Sequence, residues 1–395
     1  MPRTSSPAAA MIYKACVFAL LWLAGFYMRV PILSAAPLGH VISADLSLSQ
    51  SAMGTLTTLP ALMLGLGALP AAFLMARVGT RNMLFIALLI AGIASALRSL
   101  SPGFNLLLLY TGIMGLGIAA MQPALPALVP RWCPGAIARG SAVYLNGLMM
   151  GEFAGGGLTL PLIMPLVGGE WRHAFLLWSL PAIVVAFALF LPRQSGLDRP
   201  NIKTRSLPSP RDRQMWVFGI LLGTMSAAFF CINAYALALL EEKHMRDWLD
   251  ILLLVFNFSQ VIASGVMLAT PRRILTFPRV LFINAVLIAL GLICFMLLPG
   301  VWAIAAIIVV SYICGIQMIV LVTLPPMLRS PDAAGTLAAG MFAIAYALAF
   351  LLPLGIGALA DAFGSTLGAL WLLIAFSCGC LPLAWRTRIG TDSMG

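Results

Sequence analysis

Charge is what this chain has least of. Asp, Glu, Lys and Arg together make up 9% of its 395 residues, where a soluble domain carries about a quarter. That deficit excludes an ordinary soluble fold. Histidine is rarer still: His40, His173 and His244 are the only three, and all fall near predicted loops. The 12 acidic residues place no carboxylate pair within one predicted span. Without a nucleophile beside a base, a metal-ligand cluster or an aspartate dyad, intramembrane catalysis has nothing to work with. The expectation is therefore no enzyme, no metal and no cofactor. A repeated pore loop or a ring of like charge, as a channel would need, is missing too. Seven cysteines (16, 133, 231, 294, 314, 378 and 380) sit mostly inside apolar runs. Cys378 and Cys380 diverge on a helix, so the set reads as small core residues and not as a redox or metal pair.

What the chain does have is length without charge. Hydrophobic residues are 62% of it, and the mean hydropathy is +1.03. A helical span needs about 20 mostly apolar residues, and only helices or closed barrels satisfy their own backbone in lipid. Twelve such stretches are legible. They lie near residues 13–36, 49–76, 82–100, 104–129, 137–166 and 172–192, then 214–240, 248–270, 277–298, 301–326, 334–359 and 364–386. Ser34-Ala35-Ala36 has the look of a cleavage site, but the run before it is longer than a signal core, so an uncleaved first helix is expected.

The net charge of +11 raises the question of nucleic acid, and its placement answers it. All but Arg29, Arg98, Arg172, Lys243 and Arg246 of the 23 Lys and Arg residues lie at the two ends of the chain or in alternate loops. Asp45, Glu170, Glu241, Glu242, Asp247, Asp250 and Asp361 lie on the opposite side. Basic loops face the cytoplasm, so both termini are expected there, in a bacterial inner membrane, with an even number of spans. The one long charged connection, 193–213, divides the chain into six-helix halves, 1–192 and 214–395. The fold class expected is an all-α membrane protein of 12 helices in two pseudo-repeat bundles, with a solute site between the halves.

Motifs support this organisation. Ala72-Phe73-Leu74-Met75-Ala76-Arg77-Val78-Gly79-Thr80-Arg81, between the second and third spans, resembles the Gly-x-Leu-x-Asp-Arg-x-Gly-x-Arg signature of major facilitator transporters. Arg77, Gly79 and Arg81 match it; Ala76 replaces the Asp and Ala72 the first Gly. The resemblance implies a role in conformational gating for Arg77, Gly79 and Arg81, with the latching carboxylate missing. Tyr27-Met28-Arg29-Val30-Pro31, Leu56-Thr57-Thr58-Leu59-Pro60, and Gly115-Leu116-Gly117-Ile118 with Gln122 resemble the cyanate-permease and nitroimidazole-transporter group of that family. So do Gly169-Glu170-Trp171-Arg172 and Ala360-Asp361-Ala362-Phe363-Gly364-Ser365. In the second half Gln260 keeps its place, while Met225, Tyr235-Ala236-Leu237 and Phe342 stand where the group has other residues.

A charge at mid-span costs roughly 2.5–3.5 kcal/mol on insertion scales and marks a functional candidate. Arg29 and Glu152 qualify. A guanidinium offers five donors, suited to a carboxylate or other small anion, and the alternative is a structural Arg tied to carbonyls or to Glu152. Glu152 lies in Met149-Met150-Gly151-Glu152-Phe153-Ala154-Gly155-Gly156-Gly157. It is a candidate proton carrier, a counter-ion for Arg29, or a plain hydrogen-bonding group. Tyr27 borders Arg29, and Gln122, Tyr144, Gln260 and Tyr346 join them as substrate-binding candidates. Asn146, Asn233, Tyr235, Asn257 and Gln317 read first as helix–helix hydrogen bonds. Arg98 and Arg172 read as snorkelling residues near span ends. Trp132, Trp171, Trp216, Trp248, Trp302 and Trp385 read as an interfacial belt.

The reading that unites these features is a secondary transporter for a small polar or anionic organic solute. It works by alternating access, with proton coupling in view, and as a monomer, the family default. Its partners are the solute and the bilayer, not nucleic acid. The alternative is efflux of neutral or aromatic drugs, to which an interior with 21 Met and 21 Phe lends weight.

Overall fold

In the computed structural model the described residues are 7–133, 136–192, 209–269, 279–328 and 331–387, and all their regular structure is helical. The helices are α1 (Pro7–Tyr27), α2 (Val30–Leu33), α3 (Gly39–Leu46), α4 (Gln50–Val78), α5 (Thr80–Leu97), α6 (Phe104–Trp132), α7 (Ile137–Glu152), α8 (Met164–Leu166) and α9 (Trp171–Ala188). After the linker come α10 (Arg213–Glu242), α11 (Leu249–Ala269), α12 (Val280–Leu297), α13 (Gly300–Leu328), α14 (Pro331–Phe363), α15 (Thr366–Ala369), α16 (Trp371–Gly379) and α17 (Leu381–Trp385). Most of the linker (193–208) and Arg3, Arg272, Arg273, Arg329 and Arg388 lie outside the described residues.

Among the described residues ten helices are long and apolar enough to cross a bilayer, and a pair bent by 60° at Leu158 supplies an eleventh crossing. The remaining place in the order belongs to α4, whose 29 residues reach about 44 Å at 1.5 Å per residue. Short polar caps end these helices where they leave the apolar layer. Ser49 accepts from the Ala52 amide at the start of α4 and Asp212 from the Gln214 amide at the start of α10, each satisfying a donor with no partner inside the helix. Gly79, at φ 87°, turns the chain from α4 into α5, a conformation in which a Cβ would be strained.

Three expected spans are not continuous. The first stops at Tyr27 and resumes at Val30, because Pro31 lacks the N–H that the Tyr27 carbonyl would have taken. The fifth runs as α7 to Glu152. It then changes to π-helical turns over Phe153–Gly157 and Thr159–Ile163, which the 60° bend separates. Gly155, Gly156 and Gly157 favour helix weakly, and Pro161 removes the donor for the Gly157 carbonyl. The twelfth span is divided at Leu370 and Cys380 into α15, α16 and α17. An unexpected helix, α3, fills the connection between the first two spans.

Within the first half α1 packs on α7, α4 on α6, α6 on α5 and α5 on α9; within the second α10 packs on α14, and α13 on both α11 and α12. The halves meet along two seams, α4 against α14 and α11 against α7 with its π-helical continuation. Both seams rely on glycine at the closest approach. The hydroxyl of Tyr235 on α10 donates to the Pro353 carbonyl at 2.9 Å. It occupies space that a methyl group on Gly54 or Gly357 would fill. Gly156 packs directly on the Asn257 side chain.

Two groups read as interfacial are instead interior. Trp171 and Trp132 are buried, Trp171 donating its indole N–H to Asp45 at 3.2 Å. Arg98 is 1% exposed and cannot snorkel. Trp216, Trp248, Trp302 and Trp385 do sit exposed near helix ends.

Candidate functional site

The first half delivers two charges to one place. Along the α1–α7 seam the backbones touch, since a methyl group on Gly25, Gly147 or Gly151 would overlap the carbonyl oxygens of Tyr144, Trp22 and Phe26 respectively. The Trp22 indole donates to Asn146 Oδ1 at 3.0 Å across the same seam. This close packing sets the end of α7 level with the break after α1, so Glu152, the last residue of α7, faces Arg29, the cap of α2. Arg29 Nε and Glu152 Oε1 are 3.2 Å apart, and the residues are 5% and 3% exposed. The distance makes an ion pair, but Nε and Nη1 of Arg29 find no acceptor of good hydrogen-bond geometry among the described residues. Buried donors without acceptors are rare in folded proteins. The guanidinium thus keeps unspent binding capacity at an interior site.

The second half closes over this pair with aromatic rings. Phe230 on α10 lies 6.0 Å from the Arg29 guanidinium carbon, ring centroid to carbon. Tyr346 on α14 lies close enough to Arg29 to interact with it electrostatically. Tyr346 also accepts a hydrogen bond from Gln122 Nε2 on α6 at 3.0 Å and stacks on Phe342, centroids 5.7 Å apart. Arg29, Glu152 and Gln122 from one half thus meet Tyr346 and Phe230 from the other.

The other candidates are placed differently. Tyr27 is buried beside the break, its ring edge-on to Phe26 at 5.4 Å. Tyr144 is buried on α7, two turns before Glu152 and on the same face. Gln260 turns into the second half: its Nε2 donates to the Ser311 carbonyl at 3.1 Å, and Gly315 packs on its oxygen. Its nitrogen is spent between α11 and α13, while its oxygen has no hydrogen-bond partner among the described residues. Asn257 donates to Asn233 Oδ1 at 2.9 Å. Arg77 is exposed at the end of α4. Arg81 donates to the Leu189 carbonyl at 2.9 Å and lies 4.6 Å from the Phe190 ring, so it ties the turn to its own half. The side chains of Ala72 and Ala76 lie outside the described residues.

Sequence reasoning did not single out Phe230, and nothing distinguishes it from the chain's other phenylalanines before the halves are assembled. It also missed a carboxylate that joins the two halves. Asp361, at the end of α14, accepts from the backbone amides of Gln50 at 3.1 Å and Ser51 at 2.9 Å, the first residues of α4. Its only sequence signal was the resemblance of the segment around it.

A buried ion pair enclosed between two bundles of spanning helices defines a multi-pass membrane protein with its polar site in the apolar layer. Residues 16–335 match the Major Facilitator Superfamily, and the chain belongs to that family of transporters. It is 33% identical over 217 residues to the 2-nitroimidazole transporter of Escherichia coli (strain K12). That match covers 54% of each chain, so this chain spans about half the length of that relative. It is 26% identical over 364 residues to the cyanate transport protein CynX of the same organism, covering 88% of this chain and 91% of the relative. The niacin transporter NiaP of Acinetobacter baylyi is 26% identical over 171 residues, 42% of this chain and 38% of that one. Among solved structures, a bacterial homologue of the human lysosomal transporter Spinster, inward-facing and occupied, superposes with a TM-score of 0.70 at 16% identity, covering 97% of this chain and 98% of the other. The fold is that of the family.

Proposed function

We propose that this transporter moves a small polar or anionic organic solute across a bacterial inner membrane by alternating access, with Arg29 as the anion contact. The observation that carries this reading is the Arg29 guanidinium, buried where the two halves meet, with Nη1 lacking an acceptor among the described residues and Nε held only at ion-pair distance, 3.2 Å, from Glu152. The relatives named for cyanate and for niacin fit the same chemistry. Gln122, Tyr346 and Tyr27 orient the solute. Glu152 holds Arg29 when no solute is bound. An anion that takes over the guanidinium leaves a buried carboxylate without its counter-ion, a costly state. A proton on Glu152 relieves it, so solute anion and proton travel together. Both termini face the cytoplasm, on the strength of the basic loops, and the protein acts as a monomer.

A second reading has its own support. The Phe230 ring stands beside the pair, Phe342 stacks on Tyr346, and one relative is named for a nitroaromatic. On that reading the solute is a flat neutral aromatic and the ion pair is scaffold.

A thermal-shift measurement on purified protein in detergent separates the two, with cyanate, nicotinate and 2-nitroimidazole as probes and Arg29→Gln run alongside. Stabilisation of wild type alone by the anions is the expected outcome. Stabilisation of both proteins by 2-nitroimidazole, and of neither by the anions, would replace this reading with the aromatic one.

A further inference from the structure

Arg98 is the second cation inside the first half, and no carboxylate among the described residues pairs with it. It is 1% exposed, at the end of α5. Its Nη1 donates to the Pro31 carbonyl at 3.0 Å, its Nη2 reaches Ser34 Oγ at 3.4 Å, and its carbon lies 3.8 Å from the Phe175 ring. An isolated guanidinium in an apolar layer is expensive, so what it holds is informative. Pro31 and Ser34 belong to the four-residue helix α2 and its cap, the segment that begins immediately after Arg29. That helix is too short to satisfy its own last carbonyls, and basic side chains serve that purpose at helix ends.

We propose that Arg98 is a positioning residue: it caps the carbonyl end of Val30–Leu33, fixes the break in the first span, and so holds Arg29 against Glu152. Its weight in transport rests on the reading that this pair is the working site. Snorkelling is excluded by burial. A second anion site does not fit either, because Nη1 and Nη2, the paired donors that would fork onto an anion, already reach Pro31 and Ser34, and only Nε is left without an acceptor among the described residues. Both Arg98 and Arg29 belong to the first half, so the clamp stays closed while the aromatic residues of the second half move past it.

The test needs no solute. Dicyclohexylcarbodiimide labels protonated carboxyl groups within membranes, and Glu152 is shielded while Arg29 lies beside it. Labelling of Glu152 is followed by mass spectrometry in wild type, Arg98→Lys, Arg98→Met, Ser34→Ala and Arg29→Gln, together with amide hydrogen exchange over residues 28–36. Arg98→Met should label about tenfold faster, the lower end of what one hydrogen bond made by a charged group is worth, with faster exchange confined to 28–36. Arg98→Lys, which keeps the charge and one donor, should recover part of the protection. If the Arg98 variants do not fold, Ser34→Ala, which removes one acceptor and no charge, should still raise labelling a few-fold. Wild-type labelling in Arg98→Met, or in Ser34→Ala where that variant decides, overturns the proposal even if exchange rises. Failure of the anion reading would appear elsewhere, as an Arg29→Gln protein that labels fast yet responds to solutes as wild type does.

Discussion

At the scale of single residues the two members of the central pair are not equivalent. A carboxylic acid can neutralise itself by taking a proton, whereas a guanidinium in a protein stays charged. Removing Glu152 therefore strands a permanent cation in the apolar layer; removing Arg29 strands a group with a way out. Glu152→Gln should destabilise the protein by roughly 3 kcal/mol or more, the usual cost of breaking a buried pair, and Arg29→Gln by clearly less. The double variant, with two neutral amides, should recover most of the loss. Melting temperatures of the three variants check this. Equal losses that simply add would show that the 3.2 Å contact carries no coupling. Both residues were legible from the sequence because a charge deep in an apolar run has few innocent explanations. Arg98 was not: the end of an apolar run looks the same whether the side chain reaches water or, as here, Phe175 and the Pro31 carbonyl. Gln260 shows the same blindness, since its amide nitrogen turns to the Ser311 carbonyl of its own half and a polar residue in a span does not announce which half it faces.

At the scale of elements, the fifth span is where local chemistry and assembly act on each other. Its glycines serve as sites of close helix approach. What the pattern did not reveal is the π-helical ladder and the 60° bend, because the length and apolarity of 137–166 describe a straight helix equally well. The bend lets Gly156 reach Asn257 on α11, whose amide is held by bonds to Asn233 and the Leu253 carbonyl. A Cβ at Gly156 would lie 2.7 Å from that amide group, and the amide cannot retreat without giving up those bonds. Gly156→Val should therefore cost roughly 1–3 kcal/mol through overpacking, and Gly156→Ala less. Pairing Gly156→Ala with Asn257→Ala should lose less stability than the two single changes added together, because the second opens the space that the first needs. Thermal melts of the four proteins decide it, and strict additivity would mean that the two side chains do not meet.

At the scale of the whole molecule, an all-helical fold of many membrane spans was readable because lipid imposes one length and one composition on every crossing. The contacts that hold one half against the other were not readable, since they join residues far apart in the chain, Gln122 and Tyr346 by 224 positions and Gln50 and Asp361 by 311. The family signature led attention to the loop at Ala76, where the latching Asp is absent. A different carboxylate performs such a joining role at the opposite end of α4: Asp361 caps the first amides of that helix from the other half. Charge-assisted bonds of this kind are stronger than neutral ones, and the N-terminus of a long helix favours a negative charge. On the proposed alternating-access reading this seam parts, so the cap is a bond that each cycle breaks and remakes. Asp361→Ala should free the α4–α14 seam on that face. Amide hydrogen exchange should then rise together over residues 50–58 and 350–363, while the α1–α7 seam, which lies within one half, stays protected. Asp361→Asn, which keeps the shape but loses the charge, should fall between the two. Exchange unchanged in Asp361→Ala would mean that Tyr235, wedged between Gly54 and Gly357, holds the face closed without the carboxylate.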